Sequence, residues 1–471
     1  MTQSAGKRSH LDSTDKNVQQ KSLDTFFKPK KMRISNGTAD AEAQSVQWRE
    51  FGQTWQGKYG LTTPASKFAA FDLDGTLICT TSGSVHPRDS NDWRFFHPDV
   101  PKLLRNIHKQ GYKIVIMSNQ NGLKPTKKEP GMTVRAKEYR LKISKIAEQL
   151  DVPFTIFAAI AKDFMRKPSP GMWHMAELDN EGVVVDKAAS FYVGDAAGRP
   201  AGWKRGVAAD HSDSDLTFAL NAGVAFYTPE EIITGKICAM DQPLPPPPPS
   251  TWALKRGLPK ALTLGNGGNS ELIAELEADI SLAAAHKRGL LVLLVGPPAS
   301  GKSTFAAAHL VPLGFECVNM DTLSTRKKCV DAVKSHLGAG RLVVVDNTNP
   351  DPASRNSFTG VAKGLGVSSI AIVFEHSSRD LAMHNNLYRS KRAQAHFLYR
   401  QASQQQADAT AVSFHDMPSS VARVPDVAYN TFYKNFALPT AAEGIAKILH
   451  HTFSPSFDCS DDEHLWNQYH Y

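Results

Sequence analysis

Two phosphate-handling motifs of unrelated design occur in this 471-residue chain. The first is Asp72-Leu73-Asp74-Gly75-Thr76, which directly follows the apolar run 68–71. The second is the segment 296–303, with the sequence Gly-Pro-Pro-Ala-Ser-Gly-Lys-Ser, which directly follows the apolar run 290–295. A carboxylate at a strand end can attack phosphorus, whereas a G-x-x-x-x-G-K-S loop binds the phosphates of a nucleoside triphosphate. The two motifs together predict a phosphatase and a kinase in one polypeptide.

The first motif has two carboxylates two residues apart, which suits a two-step hydrolysis. Asp72 can attack phosphorus and form an aspartyl-phosphate. Asp74 can protonate the departing oxygen and then deprotonate the incoming water. Because the attack of one anion on another needs countercharge, we expect Mg²⁺ held by oxygen ligands. A D-x-D-G turn that only caps a strand, or a calcium loop, is the alternative interpretation.

Three later positions supply the remaining groups that this chemistry needs. Ser118 ends a strand-like run and offers a hydroxyl for phosphate, and Lys167 offers a cation. Asp195 ends another strand-like run, where a carboxylate can bind a metal ion. These positions argue against a motif that merely caps a strand.

This ordered set resembles the haloacid dehalogenase superfamily of aspartate-nucleophile phosphatases. The resemblance implies that Asp72 is the nucleophile and Asp74 the acid/base. The phosphate-binding residues that we assign on this basis are Thr76, Ser118, Asn119 and Lys167. The predicted metal ligands are Asp72, Asp74 and Asp195, with Ser303 in the kinase half. The fold implied is an α/β, haloacid dehalogenase-like Rossmannoid domain.

The second motif predicts an ATP site. Backbone amides of the loop can surround the phosphates, Lys302 can reach the β/γ oxygens, and Ser303 can ligate Mg²⁺. A Gly-rich turn with an incidental lysine is the alternative, which the preceding apolar strand disfavours. The predicted ATP-binding residues are Gly296, Pro297, Pro298, Ala299, Ser300, Gly301, Lys302, Ser303, Thr304 and Arg389.

The residues around both motifs narrow the resemblance. The segments 92–94, 119–120, 166–168 and 193–199 resemble the bifunctional polynucleotide kinase/3′-phosphatases of eukaryotic DNA repair. The resemblance extends over about residues 46 to 450. It implies a P-loop kinase α/β domain after the phosphatase, removal of 3′-phosphates and phosphorylation of 5′-hydroxyls at DNA ends, and a nuclear location.

The same resemblance assigns roles to three kinase residues. Asp321 is the implied general base for the 5′-hydroxyl, although Met320 stands where we expect a polar residue. Asp346 ends an apolar strand as a Walker B residue does, and an Asp that caps the next turn is an equally good interpretation. Arg389 is implied to stabilise the transferred charge, with an exposed helix arginine as the alternative.

Composition sets the broad class of the protein. A length of 471 residues with 41% hydrophobic residues predicts two or three globular domains. The five cysteines are scattered, which disfavours a disulfide framework or structural zinc and favours a reducing compartment. The longest apolar run is far shorter than the roughly 20 residues that span a bilayer. With no signal-like leader, we expect an intracellular protein without membrane partners, and a monomer.

Composition shifts along the chain predict its organisation. A Pro-rich stretch separates two alternating strand and helix patterns, and a polar segment precedes them. The predicted segments are a disordered basic tail (1–45), the phosphatase domain (46–240), a Pro-rich linker (241–267), the kinase domain (268–450) and a C-terminal tail (451–471).

The N-terminal segment contains a pattern that resembles the docking motif of repair proteins for the sliding clamp PCNA. Gln20, Leu23, Phe26 and Phe27 fit this pattern, and one helical turn would present the apolar three to one pocket. Packing of these side chains on the folded domain is the alternative. Residues 1–33 hold eight Lys and Arg against three Asp, so they carry +5 of the net charge of +8. We expect no room here for the FHA domain that eukaryotic relatives often carry.

Two other functions stay open at this point. One is a bifunctional kinase/phosphatase that acts on a small metabolite, and the other is a catalytically silent DNA-bound scaffold. The complete set of Asp72, Asp74 and Lys302 argues against the scaffold. The resemblance around Trp93 and Asp346 argues less decisively against the metabolite.

Overall fold

The computed structural model describes residues 45–232 and 269–470, except 126, 375–377, 409–413 and 415. The predicted N-terminal tail (apart from its last residue) and the Pro-rich linker therefore lie outside the described residues.

The first half of the chain forms a seven-stranded sheet in the order β1-β2-β7-β6-β3-β8-β9. Its strands are β1 (Gln47–Phe51), β2 (Thr54–Tyr59), β3 (Lys67–Phe71), β6 (Tyr112–Asn119), β7 (Phe154–Ala159), β8 (Phe191–Val193) and β9 (Ala225–Tyr227). A separate antiparallel pair consists of β4 (Ile78–Cys79) and β5 (Arg94–Phe95). β2 pairs antiparallel with both β1 and β7. The other neighbouring pairs of the sheet, β7-β6, β6-β3, β3-β8 and β8-β9, are parallel.

Helices connect the parallel strands, as a Rossmann-like topology requires. They are α1 (Val100–Lys109), α2 (Val134–Leu150), α3 (Gly171–Leu178) and α4 (Ser214–Ala222), with a 3₁₀ turn at Asn121–Leu123. A short helix, α5 (Pro229–Ile232), follows the last strand. α2 begins where the Thr133 hydroxyl accepts a hydrogen bond from the amide of Ala136 at 3.1 Å. The predicted Rossmann-like α/β fold is confirmed.

The second half forms an all-parallel sheet in the order β11-β12-β10-β13-β14. Its strands are β10 (Leu290–Val295), β11 (Glu316–Val318), β12 (Leu342–Val345), β13 (Ser368–Val373) and β14 (Lys447–His450). Every side chain of β10 is buried, which explains its unbroken apolar sequence. The predicted second α/β domain, with the glycine-rich loop directly after its central strand, is confirmed.

Eight helices are described in this half. They are α6 (Ser270–Ala285), α7 (Lys302–Phe305), α8 (Met320–Leu323), α9 (Arg326–Gly338), α10 (Pro352–Gly364), α11 (Arg379–Asp408), α12 (Asp426–Asn435) and α13 (Ser460–Trp466). Further short helical segments follow α7, at Ala306–Leu310 and Val311–Leu313, and one precedes β14, at Ala441–Glu443. α10 has a capping box between Asp351 and Ser354, with Pro352 in its first turn. No helix among the described residues combines the length and the apolar character that a membrane span needs.

The two halves share one hydrophobic core. We call residues 45–232, which carry the predicted phosphatase motif, the phosphatase half, and residues 269–470 the kinase half. Phe157, Phe164 and Trp173 of the phosphatase half belong to the same buried cluster as Leu398 of α11 and Leu465 of α13. The kinase sheet has two further apolar layers, one on each face. The kinase half therefore completes the core on one face of the phosphatase sheet.

Residues 451–470 are folded, in contrast to the C-terminal tail that the sequence suggested. Leu465 and Trp466 of α13 are buried. Asn221 of the phosphatase half accepts a hydrogen bond from the amide of Tyr469 at 2.9 Å and donates one to its carbonyl at 2.8 Å. The sequence did not indicate this helix, because its first turn is an acidic run and two adjacent apolar residues after it give no helical periodicity.

Candidate active sites

The phosphatase candidates lie at one edge of the first sheet. Asp72 directly follows β3, Ser118 lies near the end of β6, and Asp195 follows β8 by two residues. Since β6, β3 and β8 are parallel neighbours, their carboxyl ends meet at this edge. The topology alone therefore brings these three side chains together.

Lys167 joins this group from the segment before α3. Its amine donates to Asp72 Oδ1 at 2.6 Å, to Asp215 Oδ1 at 2.7 Å and to the Tyr192 hydroxyl at 2.8 Å. All four side chains are buried. Because an ammonium has three donor hydrogens, these partners fix its direction completely.

Burial and charge shift the pKa values of this cluster. Burial would by itself lower the pKa of Lys167, but Asp215 and Asp72 outweigh it and raise the pKa, so the amine stays charged. Burial, followed by the nearby charge of Asp215, raises the pKa of Asp195 to about 7. The Lys167 amine thus pairs with two carboxylates, and a third, Asp195, lies close to both, so that one cation faces three acidic groups.

Asp74 has a different environment, because its side chain is 45% exposed. The Gln120 amide donates to Asp74 Oδ2 at 2.6 Å and to the Ser118 hydroxyl at 2.8 Å. The Lys142 amine contacts Asp74 Oδ1 at 3.2 Å. An oriented carboxylate with access to water suits a group that exchanges protons with substrate and solvent.

Thr76 and Asn119 were both predicted to bind phosphate. Thr76 is fully buried, and its hydroxyl has no hydrogen-bond partner in the described part of the chain. The Asn119 side chain accepts from the Lys167 amide at 3.0 Å and donates to the Lys167 carbonyl at 3.2 Å. The Asn119 side chain therefore holds the backbone of Lys167, which differs from the expected direct contact with phosphate.

The carboxylates can be tested as a site for a divalent cation. Ligand atoms of Asp72, Asp195 and Asp215 all lie within 4.8 Å of one another. Gly75 leaves the space that Asp195 occupies, since a Cβ on Gly75 would lie 2.6 Å from Asp195 Oδ2. Oxygen donors with excess negative charge are what Mg²⁺ prefers, so these residues fit the ion. The structure groups Asp215 with this set in place of the predicted side chain of Asp74.

Sequence reasoning missed four residues of this site. They are Gln120, Lys142, Tyr192 and Asp215. Gln120 could have been found, because it directly follows Asn119 at the end of β6. Lys142 and Asp215 lie within helices, where nothing in the sequence shows that they point to the site.

The kinase loop folds around its own lysine. Residues 296–301 join β10 to α7, and Ala299 and Gly301 have φ of 57° and 95°. The buried Lys302 amine donates to the carbonyls of Pro297 at 2.6 Å and Gly296 at 3.0 Å. Burial lowers the pKa of Lys302 to about 8, and the charge of Asp346 opposes this shift only in part. The Lys302 amine, which the sequence predicts to bind nucleotide phosphates, is thus hydrogen-bonded to carbonyl oxygens of its own loop.

Hydrogen bonds connect this loop to the segments that carry the other kinase candidates. Asp346 follows β12, and the Gly296 amide donates to the nearby Thr348 carbonyl at 3.1 Å. Asn347 Oδ1 accepts from the amide of Met320, the first residue of α8, at 2.9 Å. Asp321, also in α8, is exposed and open to a substrate. The loop, Asp346 and α8 therefore belong to one edge of the second sheet.

α11 passes next to the same loop. The Asn385 side chain donates to the Ala299 carbonyl at 3.3 Å. Arg389 lies one helical turn further on and is exposed, as are Ser303 and Thr304 in α7. The predicted clamp-binding residues Gln20, Leu23, Phe26 and Phe27 lie outside the described residues.

Comparison with known proteins agrees with this two-site arrangement. Residues 67–233 match the family model described as "Polynucleotide kinase 3 phosphatase", and residues 291–412 match one described as "AAA domain". The chain is 33% identical over 462 residues to a "Bifunctional polynucleotide phosphatase/kinase" of Schizosaccharomyces pombe, covering 96% of this chain and 98% of that one. It is 28% identical over 402 residues to a "Putative bifunctional polynucleotide phosphatase/kinase" of Acanthamoeba polyphaga mimivirus, covering 82% and 85%.

A third relative matches the first half alone. This is the "Polynucleotide 3'-phosphatase ZDP" of Arabidopsis thaliana, 37% identical over 178 residues, which are 36% of this chain and 24% of that one. The likeness to the yeast protein extends over nearly the whole of both chains and includes both sheets. The chain belongs to the family of bifunctional polynucleotide phosphatase/kinases.

Proposed function

We propose that the protein prepares broken DNA ends for ligation in the nucleus. It removes 3′-phosphates by hydrolysis and phosphorylates 5′-hydroxyls with ATP. The observation that supports this most strongly is that two candidate phosphate sites, at Asp72 and Lys302, lie in a chain that is 33% identical over 96% of its length to a polynucleotide phosphatase/kinase. Family membership favours a polynucleotide over a small metabolite.

The phosphatase half works through a covalent intermediate. A carboxylate oxygen of Asp72 attacks the phosphorus, the bond between phosphorus and O3′ breaks, and Asp74 gives its proton to O3′. Asp74 then takes a proton from water, whose oxygen attacks the aspartyl-phosphate and releases inorganic phosphate. Lys167, 2.6 Å from Asp72, supplies positive charge next to the reacting group. The Ser118 hydroxyl binds a phosphate oxygen.

A divalent cation completes the charge balance of this site. The carboxylates of Asp72, Asp195 and Asp215 would hold it. When bound, Mg²⁺ offsets the negative charge that gathers as a carboxylate approaches a phosphate.

The kinase half transfers the terminal phosphoryl group of ATP. The backbone of residues 296–301 surrounds the phosphates, and Lys302 leaves the loop carbonyls for the β/γ oxygens. Asp321 takes the proton of the 5′-hydroxyl, whose oxygen attacks the γ-phosphorus while the bond to ADP breaks. Arg389 offsets charge in the transition state, and Ser303 would hold a Mg²⁺ ion, which when bound offsets the charge of the phosphates.

A nicked duplex with a 3′-phosphate and a 5′-hydroxyl tests this function. With Mg²⁺ and ATP the protein should convert both ends, so that added DNA ligase seals the nick. EDTA should stop both reactions, and omission of ATP should stop only 5′-phosphorylation. If the protein leaves both ends unchanged but dephosphorylates small phosphate esters, the metabolite alternative is correct.

We further propose that the N-terminal segment recruits the enzyme to the sliding clamp. Gln20, Leu23, Phe26 and Phe27 form the docking pattern, and the basic residues after it add salt-sensitive attraction. The double change Phe26→Ala/Phe27→Ala should remove clamp binding in calorimetric titration and leave both activities on short oligonucleotides unchanged. Equal heats for the variant and the natural chain would refute the docking role.

A further inference from the structure

Helix α11 of the kinase half contacts the phosphatase segment that carries Lys167. We call this segment, residues 163–170, the lysine loop. The Lys391 amine donates to the Ser169 hydroxyl at 2.7 Å. One helical turn later, Gln394 Oε1 accepts from the Phe164 amide at 3.0 Å. The kinase half therefore contacts the lysine loop on both sides of Lys167.

These contacts are deeply buried. Lys391 and Gln394 are each 4% exposed, and Ser169 is fully buried. The Lys391 amine also donates to the carbonyl of His470 at 3.2 Å. No described carboxylate pairs with it at ion-pair distance, although Asp163 of the lysine loop acts on it electrostatically. Burial of an amine without a carboxylate partner costs free energy. The amine is held here by two hydrogen bonds, to the Ser169 hydroxyl and the His470 carbonyl, which fix where Ser169 lies.

Other contacts show that the lysine loop is held from several sides. The Asn119 side chain fixes the backbone of Lys167 from β6. The Asn221 side chain of α4 donates to the Pro168 carbonyl at 2.8 Å. Lys391 adds the contact to Ser169, two residues after the lysine whose amine lies 2.6 Å from the Asp72 carboxylate. A shift of Ser169 would thus be transmitted to the amine beside the nucleophile.

We propose that Lys391, a residue of the kinase half, is a positioning residue for the 3′-phosphatase reaction. It holds Ser169, and thereby keeps the Lys167 amine directed at Asp72. This inference rests on the proposed phosphatase activity. A purely structural interface residue would affect both activities alike. A positioning role for Lys391 predicts instead that its loss lowers the phosphatase rate and leaves the kinase rate unchanged.

Replacement of the amine by an apolar side chain of similar length tests this role. Lys391→Met should lower the turnover rate of the phosphatase reaction about 10- to 100-fold, because small misplacements of a reacting group have effects of this order. The KM for the oligonucleotide should change less than about twofold, and the rate of 5′-phosphorylation should stay as in the natural chain. The measurement is steady-state kinetics of both reactions on the full chain.

A matched control is available on the same helix. The Gln405 side chain donates to the Leu178 carbonyl at 3.0 Å, so it crosses the same interface without touching the lysine loop. Gln405→Ala should keep both rates. Ser169→Ala removes the same contact from the phosphatase side and replaces Lys391→Met if that variant does not fold. The double variant Lys391→Met/Ser169→Ala should lose no more phosphatase activity than the more impaired of its two single variants, because both remove the same contact.

The outcomes separate this inference from the proposed function. Suppose that the natural chain dephosphorylates 3′ ends and that Asp72→Ala does not. If Lys391→Met and Ser169→Ala then both keep the phosphatase turnover rate within about twofold, the positioning role is wrong. Equal losses of both activities in Lys391→Met would also overturn it, in favour of a general structural role. If the natural chain itself fails to dephosphorylate 3′ ends, the proposed function fails first.

Discussion

In the proposed phosphatase mechanism, Asp74 is the group that transfers protons in both steps. Its carboxylate is oriented by Gln120 on one oxygen and by Lys142 on the other, and it remains open to water. The same side chain can therefore serve as acid in the first step and as base in the second.

We predict that Asp74→Asn lowers 3′-phosphatase turnover about 10²–10⁴-fold, the usual contribution of a positioned proton-transfer group. The asparagine amide keeps the shape of the side chain but acts neither as an acid nor as a base near neutral pH. The measurement is single-turnover dephosphorylation of an oligonucleotide, with 5′-kinase activity of the same preparation as the control. Turnover close to that of the natural chain would assign the proton transfer to another group.

Lys302 gives the kinase half a predictable dependence on pH. Burial lowers its pKa to about 8 in the free protein, and nucleotide phosphates favour the charged form. Binding should therefore raise this pKa. The affinity that Lys302 contributes is fully present below pH 8 and is lost as the pH rises above it.

We predict that ATP binding takes up protons near pH 8 to 9 and weakens as the pH increases. Calorimetric titration in two buffers of different ionisation enthalpy measures this uptake directly. Lys302→Met removes the titrating group and should abolish the pH dependence along with most of the affinity. Binding heats that are independent of the buffer at pH 8.5 would contradict the role of Lys302.

Two turns at strand ends, one after β3 and one after β8, position the carboxylates of the phosphatase site. In the first, Gly75 has φ of 90°, and Asp195 fills the space where a side chain would begin. The turn between β3 and β4 and the turn after β8 therefore interlock at the carboxylate cluster. A change in one turn is transmitted to the carboxylate of the other.

We predict that Gly75→Ala lowers 3′-phosphatase activity at least about 10²-fold and spares the kinase. The added methyl group would lie 2.6 Å from Asp195 Oδ2, which forces this carboxylate to move. Gly52→Ala is the matched control, because Gly52 also has positive φ, 58°, but has no atom within 4 Å of the added carbon. Equal activity losses in both variants would show that backbone strain, and not Asp195, is responsible.

The sequence predicted the position of a candidate site residue correctly wherever that residue lies at the end of an apolar strand. Asp72, Ser118 and Asp195 could be predicted because strand ends of a parallel sheet converge. Lys142 and Asp215 could not, because a helix position alone does not show which face meets the site. The side chain of Asn119 is turned to the Lys167 backbone, which the sequence could not show either.

The whole molecule is more integrated than the Pro-rich separation of its halves suggested. Phe397 and Leu398 of α11 and Leu465 of α13 belong to the core that covers one face of the phosphatase sheet. Residues 451–470 return from the kinase sheet to this face, where the sequence predicted a tail. Contacts between distant segments create this arrangement, and no local pattern encodes it.

The central claim concerns the same scale: one chain holds two chemically independent sites. Asp72 follows a strand of the first sheet, and Lys302 lies after a strand of the second. The two proposed reactions differ, although the two halves are packed together. The most direct measurement follows both ends of a nicked duplex in parallel with two single variants. We predict that Asp72→Ala abolishes 3′-dephosphorylation and retains 5′-phosphorylation, and that Lys302→Ala does the reverse. Loss of both activities in either variant, with circular dichroism and melting temperature unchanged, would contradict the two-site account.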